Sequence, residues 1–245
     1  MYFTGEGTKP DTTQAIFWFE KSAQQDDTKG QVWLGYMYEN GYGVDGDVTK
    51  ALTLYEKAGL KDDIYAQIKL AEMYYDGKGT PPDTVLSFFW YKKAAEQGDY
   101  YAQNVIAEMY FNGKGVIPDT IQAFYYFQKS AKQDYAMAQS WLGFMYENGY
   151  GTGVNVNKAL YWYEKAGMQG NVFSQNRLFE IYSKGLGIAP DTARTFYWSK
   201  QLAEKDDILA KMRFGLMYLD GYGTKPDTLQ AFTWFKKEGI LTLKP

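Results

Sequence analysis

The pair Gly-x-Gly returns at Gly5/Gly7, Gly41/Gly43, Gly77/Gly79, Gly113/Gly115, Gly149/Gly151, Gly185/Gly187 and Gly221/Gly223, always 36 residues apart, and this period decides what the chain can fold into. A tyrosine stands three residues before the first glycine of every pair, from Tyr2 through Tyr38, Tyr74, Tyr110, Tyr146 and Tyr182 to Tyr218. A strict period of this length marks a repeat architecture, in which each unit buries its apolar face only against its neighbours. About seven units account for essentially all 245 residues, so a single solenoid domain over residues 1–245 is expected.

Within one unit, Ala102, Ile106, Met109 and Tyr110 fall on the i, i+4, i+7, i+8 stripe of an amphipathic helix, called A. Gly113 is placed to end it in the left-handed conformation, and Gly115 lets the loop turn. Asp119 then stands where a side-chain oxygen can accept the free N–H groups of a second helix, B, running through Ala123 to Ala131. Asp11/Gln14, Asp119/Gln122 and Asp227/Gln230 share the spacing of a capping box. The pattern predicts an all-α fold of about thirteen helices in antiparallel pairs, with no competing strand signal.

Composition removes whole classes of function. The chain has no histidine and no cysteine, which excludes imidazole bases, thiolate nucleophiles, disulfides and metals held by those ligands; no cofactor or metal is expected. A net charge of −3 without a long basic block argues against nucleic acid as a partner. Apolar runs such as Ala15 to Phe19 fall far short of the roughly 20 residues that span a bilayer, and mean hydropathy is −0.47. No signal sequence opens the chain, and its compartment stays open.

The segment Ala66-Gln67, Leu70-Ala71, Met73-Tyr74, Gly77-Lys78-Gly79, Asp83, Trp90-Tyr91-Lys92-Lys93-Ala94-Ala95 and Gly98 resembles the Sel-one-like repeat (SLR), a relative of the tetratricopeptide repeat. The resemblance covers the whole chain and implies a right-handed α-solenoid whose A helices line a concave groove. It also implies an adaptor that holds other proteins and has no common chemistry. A subset of SLR proteins with cysteine pairs is connected with β-lactam binding, an inference that does not transfer to a chain without cysteine.

Met1 occupies the position of Met37, Met73, Met109, Met145 and Met217, so the chain is expected to open in the last turn of an A helix and to belong to a longer array. At the other end, Ile240 to Leu243 matches no A helix. Uncapped ends predict head-to-tail self-association. A longer period lies over the first: Leu34 to Gly43 returns as Leu142 to Gly151, and Ala51 to Gly59 as Ala159 to Gly167. This reads as a three-unit duplication, as two similar patches presented by the array, or as both.

Gly41-Tyr42-Gly43-Val44-Asp45-Gly46 spells a dinucleotide fingerprint but follows a helix rather than a strand, and Asp47 reads as a helix cap rather than a calcium ligand. Trp18, Trp90, Tyr126, Trp162, Trp198 and Trp234, with Leu54 in the remaining unit, recur at the array period and read as core. Tyrosines such as Tyr110 read as core with a backbone partner for the hydroxyl. Gln31, Gln67, Gln103, Gln139 and Gln175 read as structural hydrogen-bonders.

Positions that vary between units are more telling, because the fold does not require them. On helix A they fall at i, i+4, i+7 and share one face. Trp33, Tyr36, Trp141 and Phe144 are expected as aromatic anchors of a binding groove and Lys69, Arg177 and Arg213 as its ionic selectors, with Tyr65, Glu72, Tyr101, Glu108 and Glu180 on the same partner-binding face. The competing reading is that part of this set packs between neighbouring A helices. The expected function is a non-enzymatic scaffold binding a protein or peptide segment; the alternative is a glycan-binding module on the same aromatics, and a β-lactam-type hydrolase ranks last.

Overall fold

A computed structural model describes residues 11–205 and 207–237. Among them are thirteen helices and no strand. Helices of type B are α1 (Thr12–Gln24), α3 (Val48–Gly59), α5 (Thr84–Glu96), α7 (Thr120–Lys132), α9 (Val156–Met168), α11 (Thr192–Ala203) and α13 (Thr228–Lys237). They alternate with type A: α2 (Thr28–Asn40), α4 (Ile64–Asp76), α6 (Tyr100–Asn112), α8 (Ala136–Asn148), α10 (Val172–Lys184) and α12 (Ile208–Asp220). The chain forms two compact units divided between Lys129 and Ser130, within α7. In the first unit α1 to α6 each pack on the next, and in the second α8 to α13 do the same.

Side-chain caps start the helices. Asp11 accepts from the Gln14 N–H at 3.0 Å, Asp119 from those of Ile121 and Gln122 at 2.9 and 3.0 Å, and Asp227 from that of Gln230 at 2.9 Å. Asp47 likewise caps α3 through the Lys50 N–H at 3.0 Å. At the end of α6, Gly113 has φ +70 and donates its N–H to the Met109 carbonyl. The second glycine does more than shape the loop: a Cβ on Gly115 would come within 2.0 Å of the Thr84 carbonyl oxygen at the start of α5. That glycine is where one helix pair rests on the one before it.

In the first unit the core runs through Met37, Leu70, Met73 and Ile106, and in the second through Leu142, Met145, Leu178 and Phe214, all nearly or fully buried. Trp90 is 6% exposed and Trp198 2%. Each ring lies over a glycine of the preceding B helix: a Cβ would meet Trp90 at 3.3 Å on Gly59, and Trp198 at 3.0 Å on Gly167. Trp162 and Trp234, for which the position of that glycine is held by Ala131 and Ala203, are only half-buried, as is Leu54. Trp18 departs from the core expectation, being 51% exposed; the described residues include no earlier helix pair to lie under its ring.

The glutamines behave as read. Gln67, Gln103 and Gln175 each donate to the end of the preceding B helix, at the carbonyls of Gly59, Ala95 and Gly167, 3.0, 3.1 and 2.8 Å away. They satisfy carbonyls that a helix C-terminus leaves without an intrahelical partner. The tyrosine hydroxyls correct the expectation of backbone partners: Tyr74 donates to Glu56 and Tyr182 to Glu164, both at 2.7 Å. Met1 and Ile240 to Leu243, on which the expectations about the chain's ends and self-association rest, lie outside the described residues.

Candidate functional site

In the first unit, α2 and the start of α4 enclose an open cleft of about 550 Å³ lined by Lys29, Val32, Trp33, Tyr36, Asp63 and Tyr65. Trp33 and Tyr36 are one turn apart on α2, and their rings meet edge to face with centroids 5.9 Å apart. Phe19 of α1 stacks behind Trp33 at 5.9 Å, so the indole is backed on one side and 40% exposed. Asp63 is fixed by its role as the cap of α4, accepting from the Ala66 N–H at 2.9 Å. The aromatic wall is therefore held by packing and the acidic rim by a backbone hydrogen bond.

The second unit holds a counterpart. Between α8 and α10 a cleft of about 560 Å³ is lined by Met137, Ser140, Trp141, Phe144, Asn171 and Phe173. All six positions lie three repeats after the six in the first unit. Trp141 and Phe144 reproduce the edge-to-face pair at 5.7 Å. The aromatic frame is kept while the rim changes, with Met137 in place of Lys29 and Asn171 in place of Asp63. One cleft carries a charge of each sign at its rim, and the other is neutral.

Next to each cleft lies an ionic cluster, also duplicated. Glu39 accepts from the Tyr55 hydroxyl at 2.9 Å and pairs with Lys69 at 2.9 Å; Lys69 reaches Glu72 at 3.5 Å. In the second unit Glu147 accepts from the Tyr163 hydroxyl at 2.8 Å and pairs with Arg177, which also pairs with Glu180. Burial, followed by the charge and hydrogen bond of Glu39, pushes the Tyr55 hydroxyl far above its ordinary range. Burial opposes the charge of Lys69, but the bond and charge of Glu39 outweigh it and hold the ammonium above its usual value. Lys69 and Arg177 are thus engaged by carboxylates of their own unit.

A second cleft of the first unit, about 440 Å³, opens between α4 and α6 over Tyr91 of α5. Glu72, Tyr101 and Glu108 of the expected site line it, together with Tyr75, Asp76 and Lys114. Arg213, in the second unit, lies over the Phe179 ring at 4.5 Å. The structure therefore gathers Trp33, Tyr36 and Tyr65 in one cleft, Glu72, Tyr101 and Glu108 in another, and Trp141 and Phe144 in a third. It leaves Lys69, Arg177, Glu180 and Arg213 in contacts beside them.

Asp63 and Asn171 escaped the sequence reading, which placed caps only before B helices; each caps an A helix and also forms the rim of a cleft. Glu39 and Glu147 had a signal in the sequence: among the corresponding positions of the repeats only these two are glutamate. Among the described residues no helix is long and apolar enough to cross a membrane.

Residues 1–27, 28–63, 64–99, 101–135, 136–171, 172–207 and 208–237 each match the Sel1 repeat. Among solved structures, the chain is similar to a protective antigen present in uropathogenic Escherichia coli strains that displays an SLR fold. The identity is 34% and the TM-score 0.89, over 98% of this chain and 51% of that one. It is also similar to a Sel1 repeat protein from Oxalobacter formigenes, at 29% identity and a TM-score of 0.77, over 98% of this chain and 69% of that one. The chain spans about half the length of the first of these relatives. No curated protein matches it. Repeats of this kind typically serve protein interaction and are generally non-catalytic. With seven repeats over nearly its whole length, the chain belongs to the Sel1 repeat family.

Proposed function

We propose that this chain is a non-enzymatic scaffold that holds a segment of a partner protein against its A helices, each unit contributing one aromatic cleft. The observation that carries this reading is the pair of clefts at α2/α4 and α8/α10, built on corresponding positions and similar in volume. Volumes of this size suit small groups of side chains, and Trp and Tyr beside charged residues are the usual composition of interface anchors. Trp33→Ala and Trp141→Ala remove the two indoles without touching the buried core.

The test is selection from a displayed library of random dodecapeptides on the wild-type chain and on the Trp33→Ala/Trp141→Ala double variant. Peptides retained by the wild type and lost by a variant of unchanged circular dichroism support the reading. Peptides held equally by both place binding elsewhere. Retention of neutral oligosaccharides, insensitive to salt, in place of peptides would replace the protein segment with a glycan.

A further inference from the structure

The face of α4 in the first unit changes character along its length. Tyr65, Lys69, Glu72 and Asp76 follow one another at i, i+4, i+7 and i+11 and share one side of the helix. Tyr65 closes the aromatic cleft against α2, whereas Glu72 and Asp76 belong to the cleft against α6. From Tyr65 to Glu72 the helix rises by about 10 Å.

The second cleft is lined by three carboxylates, Glu72, Asp76 and Glu108, against two lysines, Lys78 and Lys114, and so carries an excess of negative charge. Lys78 pairs with Asp76 at 2.9 Å. The Lys114 ammonium, whose charge acts on Glu108, donates to the Tyr75 hydroxyl at 2.7 Å and lies 5.4 Å from the centre of that ring. Glu72 has only the 3.5 Å contact with Lys69, which sits closer to Glu39 at 2.9 Å. Glu108 accepts an amide hydrogen from Asn104 at 2.7 Å. Asn104 is 3% exposed and its own carbonyl oxygen has no partner. Glu72 and Glu108 thus share cations that sit closer to other partners, in a cleft walled by tyrosines.

Building on the scaffold reading, we infer that the first unit selects a partner segment in which a bulky apolar side chain, seated against Trp33 and Tyr65, is followed or preceded by a Lys or Arg that reaches Glu72 and Glu108. An extended chain covers the ~10 Å rise from Tyr65 to Glu72 in roughly three residues, which sets the spacing. Tyrosine faces beside carboxylates suit a cation twice over, through the ring quadrupole and through charge. The second unit supplies an internal control. Three repeats on, Asp76 is replaced by Lys184 and Glu108 by Leu216, and Glu180 is held by Arg177, so the preference for a cation belongs to the first unit alone.

The same dodecapeptide library tests this on the whole chain, with Glu72→Gln/Glu108→Gln as a near-isosteric variant. Peptides whose binding depends on Trp33 are expected to carry Lys or Arg about three residues from an aromatic or aliphatic anchor. Their affinity should fall roughly fivefold in the glutamine variant and weaken as salt rises from about 50 to about 500 mM. Peptides that depend on Trp141 should show neither effect. Trp33-dependent peptides without basic enrichment, or unaffected by the glutamine variant, would overturn the inference and leave the scaffold reading standing. A library from which no peptide depends on either tryptophan would overturn both.

Discussion

Tyrosine hydroxyls facing carboxylates are the recurrent polar device of this chain, and they give it a pH signature. Burial and the acceptor Glu56 push Tyr74 up to about 12, and burial with Glu164 does the same for Tyr182. Tyr126, buried beside Tyr110 and Glu96, also rises to about 12. In the unfolded chain these groups ionise near ~10. The folded state therefore binds more protons than the unfolded state above that value, and stability falls as pH rises. The contribution is complete below about pH 10 and is lost as pH climbs through the folded values near 12. Urea unfolding at successive alkaline pH values should show midpoints moving steadily lower, with a shallower slope in Tyr74→Phe/Tyr182→Phe; a midpoint independent of pH would contradict the assignment. The tyrosines were legible in the sequence as periodic core residues, but their carboxylate partners were not. Glu56 and Glu164 lie on the preceding B helix, and only the pairing of helices brings them to the ring.

At the scale of the helix and its loop, the sequence spoke most clearly, because caps act locally. Aspartate, or asparagine at α9, before each B helix and glycine after each A helix place the ends by chemistry that needs no neighbour. What local chemistry misses is the contact between successive repeats, and the second glycine shows it. Gly115 has φ +69 and a would-be Cβ at 2.0 Å from the Thr84 carbonyl oxygen, while Gly98 has φ +100 and open space around it. Gly98→Ala should cost only the left-handed strain, about 1–2 kcal/mol. Gly115→Ala adds a clash with backbone and should cost about 3 kcal/mol or more. Equal losses in chemical denaturation would mean that the loop rather than the repeat contact requires Gly115. The same logic separates the tryptophans: Trp90 and Trp198 sink where the preceding helix offers Gly59 and Gly167, a complementarity between residues of different repeats. Trp18 carries the same periodic signal but finds no such partner among the described residues, which is why periodicity alone placed it in the core.

Over the whole chain, two signals overlie one another: a 36-residue period that builds the fold, and a threefold multiple of it that repeats a surface. The first made the fold readable, since seven copies of one pattern leave little choice. The second marked Trp33, Tyr36, Trp141 and Phe144 as a recurring set, and in each unit the structure gathers its pair into a cleft. The rims were harder to read, because Asp63 and Asn171 stand at the periodic cap position of the A helices, which marks a helix start rather than a surface, and Ser140 replaces a valine. Glu39 and Glu147 stand out in the sequence, but only the packing of successive A helices brings them to Lys69 and Arg177. The central claim is a division of labour between tryptophans that hold the fold and tryptophans that meet a partner. The most direct measurement is the unfolding free energy of Trp33→Ala/Trp141→Ala beside that of Trp198→Ala, with retention of the selected peptides scored on the same samples. Trp198, 2% exposed, should cost about 3–5 kcal/mol when truncated. Trp33, 40% exposed, and its counterpart Trp141 should each cost about 1 kcal/mol or less, while peptide retention is lost. A double variant as destabilised as Trp198→Ala, or one that keeps its peptides, would contradict the account.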